Sequence, residues 1–164
     1  MKMLELQNES HQQSIHLGLW DEPKTDGFLF SLIHSELSKM VINQANDLPK
    51  HLKDHGDHWV ACAEFIIKSL DYLGAFGFSE WDGVIDAYNE DHPAWTSDYD
   101  EITSFVSEVH AAVSYSYLSK DDSIQFNLLA CSILMAWCFA ISQGVDIEQI
   151  IKEKLEYNIS IISK

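Results

Sequence analysis

Residues 122–143, DSIQFNLLACSILMAWCFAISQ, contain a single charged residue and are apolar on nearly every side of a helix. A helix that is apolar all round is typical of the centre of a fold. The stretch therefore predicts a central helix, which Gly144 ends. On both sides of it, apolar residues recur every three or four positions, which is the period of an amphipathic helix.

This period predicts six further helices around the central one. Their expected ranges are 3–17, 26–46, 57–76, 79–88, 98–118 and 146–159. The three prolines all fall between these ranges, as expected where helices are joined by short turns. The best strand candidate, residues 113–118, is better explained as a helix end. We therefore predict one all-α domain over residues 1–164, a bundle of about six to seven helices. Its only plausible internal boundary is the polar link 89–95.

The two halves of the chain, residues 18–90 and 95–160, resemble one another. Each is predicted to hold two long helices, a glycine and a short helix. The matches are Ser35-Glu36 with Ser107-Glu108, Gly77 with Gly144, and Tyr88-Asn89 with Tyr157-Asn158. Any two helical hairpins would share the apolar spacing. The glycine and Tyr-Asn matches go beyond that spacing, so they favour an internal duplication.

Charge excludes one class of function. Ten basic residues, all of them lysine, face 26 acidic residues, and the formal net charge is −16. Nucleic-acid binding needs cations that neutralise phosphates, so this chain would repel a polyanion. Acidity by itself is sufficiently explained by solubility.

No membrane segment or secretion signal is expected. Apolar runs are broken before about 20 positions, and the N-terminal stretch has no apolar signal core. The default location is the cytoplasm. The three cysteines, Cys62, Cys131 and Cys138, lie in apolar helical stretches and form no Cys-x-x-Cys pair. Small buried side chains are the expected role, in preference to disulfides or zinc ligands.

Four strings occur in an order that resembles the MazG-like branch of the all-α nucleoside triphosphate pyrophosphohydrolases. They are GLWDEP at 18–23, LIHSELS at 32–38, IIKSLDYLGAFG at 66–77 and GVDIEQIIKEKLEYN at 144–158. The resemblance extends over about half of the chain. The family runs directly from the third string to the fourth, whereas residues 78–143 lie between them here and contain the weaker second copy.

The resemblance implies a metal-dependent reaction. In the family, Glu-x-x-Glu on one helix and Glu-x-x-Asp on the next hold Mg²⁺, which binds a nucleoside triphosphate and activates water. Attack at the α-phosphate releases pyrophosphate and a nucleoside monophosphate. Family members also assemble as oligomers, so a homo-oligomer is implied. Carried over residue by residue, the metal ligands are Glu36 and Glu64, with Asp71 on the same helix face; Lys154 and Asn158 contact phosphate, and Trp20 stacks on the base.

This chain departs from the family pattern at three of the four ligand positions. Lys39 replaces the second glutamate, Ala61 the third carboxylate, and Glu64 stands where the family has aspartate. The second copy keeps Glu108 at the first ligand position and has Ala111, Leu128 and Cys131 at the other three.

Several interpretations stay open at this point. A different set, made of Glu36, Asp57, Glu64 and Asp71, would rebuild a metal site. Alternatively, Glu36 and Glu64 belong to an ordinary polar helix face or are buried remnants paired with Lys39 or Lys68. The protein is then a divergent pyrophosphohydrolase, an inactive relative that binds a nucleotide or a protein, or a structural protein without a ligand.

Histidines form two further candidates. His34 precedes Glu36 and would lie near the same site. His51, His55 and His58 cluster with two aspartates, which is conceivable for zinc. Their spacing matches no strong metal motif and favours a solvated loop.

Overall fold

The computed structural model describes residues 3–42, 48–91 and 101–162, and this part of the chain contains eight helices and no strand. The all-α prediction is confirmed. The helices are α1 Met3–His16, α2 Asp26–Ile42, α3 Lys50–Lys53, α4 Asp57–Ala75, α5 Trp81–Asp91, α6 Ile102–Leu118, α7 Asp122–Ser142 and α8 Ile147–Ile162.

Most predicted boundaries agree with these ranges to within a few residues. The single turn α3 was missed: it follows Pro49, whose backbone φ of −64° suits a helix start, and it buries Leu52 completely. Helix α5 extends through Asp91, into the segment predicted as a link. The rest of that link, with Pro93 and Trp95, lies outside the described residues, as do the predicted helix end at Asn46 and the predicted start at Asp98.

Helix α7 lies in the core, as its composition predicts, although α4 is in contact with more helices than α7 is. It packs against α4, α5, α6 and α8. By length and composition alone it could also cross a membrane, contrary to the expectation that no run was long enough, but 61% of its apolar window is buried by the rest of the chain. This degree of burial is what a core helix shows.

Two helical hairpins form the body of the fold. Helix α2 packs on α4, α6 packs on α7, and the two pairs meet through contacts of α2 with α6 and of α4 with α7. Within the α6–α7 hairpin, the rings of Phe105 and Phe139 stack with centroids 4.2 Å apart. Cys62 and Cys138 are buried, Cys131 is half-buried, and no disulfide links any two of these three cysteines. The predicted role of the cysteines as small buried side chains therefore holds for Cys62 and Cys138.

Backbone turns end the two long helices of these hairpins in the same way. Gly77 follows α4 with φ of 71°, and Gly144 follows α7 with φ of 74°. Glycine adopts this left-handed conformation without a Cβ clash, so each helix can stop and the chain can reverse. At the other end of α7, the carboxylate of Asp121 accepts hydrogen bonds from the backbone N–H groups of Ser123 and Ile124.

The first and last helices both pack on α4. Gln7 in α1 donates to the carbonyl of Phe78 and accepts from the indole N–H of Trp81, both at 2.7 Å. Because α8 packs mainly on α4, it belongs to the first half of the chain, a point that its sequence left open. Helix α1 approaches α4 closely at Gly74, where a Cβ would lie 2.8 Å from the Cβ of His11.

This close approach predicts opposite effects of alanine at two helical glycines. Gly74→Ala must push α1 away from α4, which costs more than alanine gains in helix propensity. We expect a net decrease of about 1–2 kcal/mol in the free energy of unfolding. Gly83→Ala in α5 meets no atom within 4 Å and should raise that energy by about 0.5–1 kcal/mol. Urea denaturation followed by circular dichroism measures both. Equal effects would contradict the tight α1–α4 contact.

A histidine pair joins the two hairpins. His34 of α2 and His110 of α6 stack with an interplanar angle of 11°, and their Nδ1 atoms lie 2.7 Å apart. One Nδ1 must donate and the other accept, so two imidazolium rings cannot keep this bond. Burial lowers the pKa of both histidines, and the neighbouring charge of His110 lowers the pKa of His34 further.

These lowered pKa values predict an acid-sensitive contact. The folded pair binds fewer protons than the unfolded chain, whose histidines titrate near pH 6.5. The pair's contribution to stability is therefore present above that pH and is lost as pH falls through the lower folded pKa values. We expect the loss of stability between pH 7.5 and pH 5.5 to be smaller in His34→Gln than in the parent. Chemical denaturation at both pH values measures it; an unchanged difference would refute the coupling.

Candidate functional site

A pocket of about 210 Å³ lies between α1, α2, α4, α8 and the loop that joins α1 to α2. Its walls are largely apolar, and a few polar groups converge on them, which is the usual composition of a small-molecule site. The apolar and aromatic lining consists of Leu17, Leu19, Trp20, Phe28, Leu29, Leu32, Ile67 and Tyr72. The polar lining consists of Gln13, Ser14, Lys24, Glu64, Lys68, Asp71 and Asn158.

The structure gathers the predicted site residues around this pocket, although they are up to 138 positions apart in the chain. Trp20, Glu64, Asp71 and Asn158 line it directly. The other two predicted residues, Lys154 and Glu36, do not line the pocket but contact residues that do. The ammonium of Lys154 lies 2.6 Å from Glu64, and the carboxylate of Glu36 lies 3.5 Å from Lys68.

Glu36 is buried on α2 and is held by two lysines. The Lys39 ammonium donates to both carboxylate oxygens, at 3.0 and 2.9 Å. Lys68 of α4 lies 3.5 Å from one of them. Lys39 stands at the position where the family pattern has a second glutamate. Beside Glu36 there is therefore a cation where the family has an anion. This agrees with the interpretation of Glu36 as a remnant held in a salt bridge.

Glu64 takes part in a chain of contacts that fixes α8. The ammonium of Lys154, which is only 6% exposed, lies 2.6 Å from the Glu64 carboxylate and donates to the side-chain oxygen of Asn158 at 3.0 Å. Asn158 in turn donates to Gln13 at 3.3 Å, and Gln13 donates to the carbonyl of Leu155 at 2.7 Å. Lys154 and Asn158 thus satisfy partners within the protein.

Asp71 anchors the loop that forms one wall of the pocket. The indole N–H of Trp20 donates to its Oδ1 atom at 2.9 Å, and Nδ1 of His11 lies 2.8 Å from the same oxygen. Burial raises the pKa of Asp71, while hydrogen bonds from His11, Ser14 and Trp20 oppose that rise. The ring of Trp20 meets His11 edge to face. The tryptophan is therefore held in place before any ligand enters.

The acidic side chains of α4 are too far apart along the helix to share one magnesium ion. Glu64 and Asp71 lie seven residues apart on α4, which is about 10 Å along the helix axis. The rebuilt set that includes Asp57 would stretch over about 21 Å of the same helix, much farther than one ion can bridge. Across the described ranges, no group of three histidine, cysteine or acidic side chains is placed to hold a metal.

Within the described ranges, the histidines considered for zinc belong to no group of three side chains placed to hold a metal. Nε2 of His55 lies 2.8 Å from a carboxylate oxygen of Glu153 on α8. The ring of His58 packs on Trp59. His51 belongs to α3, the helical turn in what was predicted to be a loop.

Lys24, which lines the pocket, and His11, which contacts the lining residue Asp71, carried no signal in the sequence. His11 lies on α1, whose apolar pattern is weak, and it meets Asp71 only because α1 docks on α4 at Gly74. Lys24 lies in the loop that Trp20 holds in place. Lys68 could be found in advance, since it lies four residues after Glu64 and hence on the same helix face.

Comparisons of this chain with models of protein families, with curated proteins and with solved structures found no match. The resemblance to MazG-like enzymes therefore stays a prediction from the quoted strings.

The contact between Glu64 and Lys154 is expected to be worth much more than an exposed ion pair. Removing either partner leaves a poorly solvated charge, so Glu64→Gln and Lys154→Met should each cost about 2–3 kcal/mol of stability. The double variant should cost less than the sum of the two, because no charge is left unpaired. Urea denaturation of the four proteins measures this coupling.

The exposed pair Glu148 and Lys152 on α8 provides the matched control, since its atoms are equally close at 2.6 Å. It should show no measurable coupling, because water solvates both of its partners. Equal coupling in the two pairs would contradict the buried role of Lys154.

Proposed function

We propose that this protein binds a nucleotide in the pocket, that lysines take the place of magnesium there, and that the nucleotide is not hydrolysed. One observation carries the proposal: both carboxylates that the resemblance assigns to the metal already have lysine ammonium groups against them. A Mg²⁺ ion would have to displace these cations, and it needs several converging oxygens.

The local charge supports an anionic ligand. Two lysines, Lys24 and Lys68, line the pocket together with two carboxylates, Glu64 and Asp71. In a chain of net charge −16, a pocket with as many lysines as carboxylates is less acidic than the rest of the chain. It would repel an anion less than the rest of the surface does.

The shape of the pocket supports a ligand with a flat apolar part. Trp20 and Tyr72 offer aromatic surface, and leucine and isoleucine side chains complete the walls. A volume of about 210 Å³ is below the usual range for whole ligands. We infer that the base enters and that sugar and phosphate stay at the mouth, where Lys24 and Lys68 are partly exposed. Lysine binds phosphate as a point charge, without the fork of arginine.

Titration calorimetry with a panel of ribo- and deoxynucleoside mono- and triphosphates tests this proposal. With EDTA present, at least one nucleotide should bind, and Mg²⁺ should change its affinity only slightly. Lys68→Met should weaken binding about tenfold or more, because one phosphate contact is lost. Lys152→Met, an exposed lysine outside the pocket, is the matched control and should bind like the parent.

A pyrophosphate-release assay decides between this proposal and the divergent enzyme. We expect no release with Mg²⁺ or Mn²⁺ at high protein concentration. Release by the parent that Glu36→Gln abolishes would establish a pyrophosphohydrolase and overturn the non-catalytic proposal. Failure of every nucleotide to bind would overturn nucleotide recognition itself and leave the pocket to another ligand or a structural role.

A further inference from the structure

Another cavity, of about 230 Å³, lies where α4 ends and where α5 and α7 begin. Its volume is below the usual range for drug-sized ligands, so it suits a small molecule. As far as the described ranges extend, no residue lines both this cavity and the nucleotide pocket. Whatever binds here is therefore recognised by a separate set of side chains.

Three phenylalanine rings form the apolar part of this cavity. The ring of Phe126 lies 5.9 Å from that of Phe76 and 6.3 Å from that of Phe78, measured between centroids. Phe76 is 48% exposed although it takes part in this cluster. The face of an aromatic ring attracts a cation that lies within about 6 Å of its centroid.

A buried acceptor in the lining has no partner. The side-chain oxygen of Asn127 is inaccessible to solvent and receives no hydrogen bond from the described residues. Leaving such an oxygen unpaired costs free energy, and buried polar atoms in proteins are rarely left this way. A ligand that donates an N–H group to Asn127 would remove this cost.

Charge favours a cation over an anion. The carboxylate of Glu80 lines the cavity, and among the described residues no lysine does; Lys120, in the turn before α7, lies outside the lining. The N-termini of α5 and α7 would by themselves favour an anion. Their first turns already carry Asp82 and Asp122, however, so an anion would meet three carboxylates.

We propose that this cavity binds a primary ammonium group on a short alkyl chain. The ammonium donates to Asn127, its charge is balanced by Glu80, and the alkyl chain lies against the three phenylalanines. The net charge of −16 raises the local concentration of cations at the surface. The proposal does not depend on nucleotide binding.

A titration of isotope-labelled protein with n-butylammonium, followed by NMR, tests the site. The backbone amide of Gly77 and the side-chain amide of Asn127 should shift and saturate, with a dissociation constant of about 1 mM. The neutral control is n-butanol, which has nearly the same shape and should bind at least about fivefold more weakly. Added salt should weaken the binding of the ammonium compound only.

Two matched acidic variants separate local from general attraction. Glu80→Gln should weaken n-butylammonium binding about threefold or more, because the charge beside the ligand is lost. Asp86→Asn makes the same kind of change at an exposed residue of α5 that does not line the cavity, and it should bind like the parent.

Asn127→Leu tests the unpartnered oxygen. It should weaken n-butylammonium binding about fivefold or more, because the acceptor is lost. It should not lower the urea midpoint of unfolding, because an unpaired buried oxygen is removed from the folded protein.

A lysine with blocked amino and carboxyl groups distinguishes two sources of the ligand. If it shifts the signals of Gly77 and Asn127 with similar affinity, the ligand is a lysine side chain of a partner protein; if it does not, the ligand is a free amine. Equal binding of n-butanol and n-butylammonium would overturn the proposal. So would equal effects of the two acidic variants, or shifts that spread over the acidic surface and leave Asn127 unchanged.

Discussion

The fold depends on the burial of two helices that have little polar surface. Helix α7 has one charged residue in 21 positions, and 13 of the 19 residues of α4 are buried. A helix of this kind is stable in water only when neighbours cover most of its circumference. The remaining helices meet this requirement: α1, α2 and α8 pack on α4, while α5 and α6 pack on α7. The pocket forms where α1, α2 and α8 surround the same helix, α4.

Lysines decide what the acidic groups inside this bundle can do. Buried carboxylates are costly unless a cation or hydrogen-bond donors stabilise them. A bound Mg²⁺ ion can stabilise such a carboxylate, and so can a lysine ammonium, which does not have to be taken up from the solvent. In this chain Lys39 and Lys68 stabilise Glu36, and Lys154 stabilises Glu64. The Lys68–Glu36 pair joins α2 to α4 and the Lys154–Glu64 pair joins α8 to α4, so these charges also help to hold the walls of the pocket together.

Predictions from local pattern agreed with the structure where one periodicity dominated. The apolar spacing located seven of the eight helices, and the glycines after α4 and α7 end them as expected. The turn α3 was missed because four residues are too few to show a helical period, and tertiary burial of Leu52 stabilises it. The residues predicted for a site gather around one pocket, but their partners could not be read from spacing along the chain. Lys154 meets Glu64 across 90 positions, and His11 meets Asp71 across 60.

By itself, the sequence determined the helical class, the central position of α7, the acidic surface and the set of residues from which a site could be built. These follow from composition and from periods of three or four residues, which act within a single helix. Only the tertiary structure decided that α8 joins the first half of the chain, that His34 pairs with His110, and that lysines stand against Glu36 and Glu64. Those outcomes depend on which helix faces meet, because the energies of a buried charge and of a close backbone approach are set by neighbours distant in sequence.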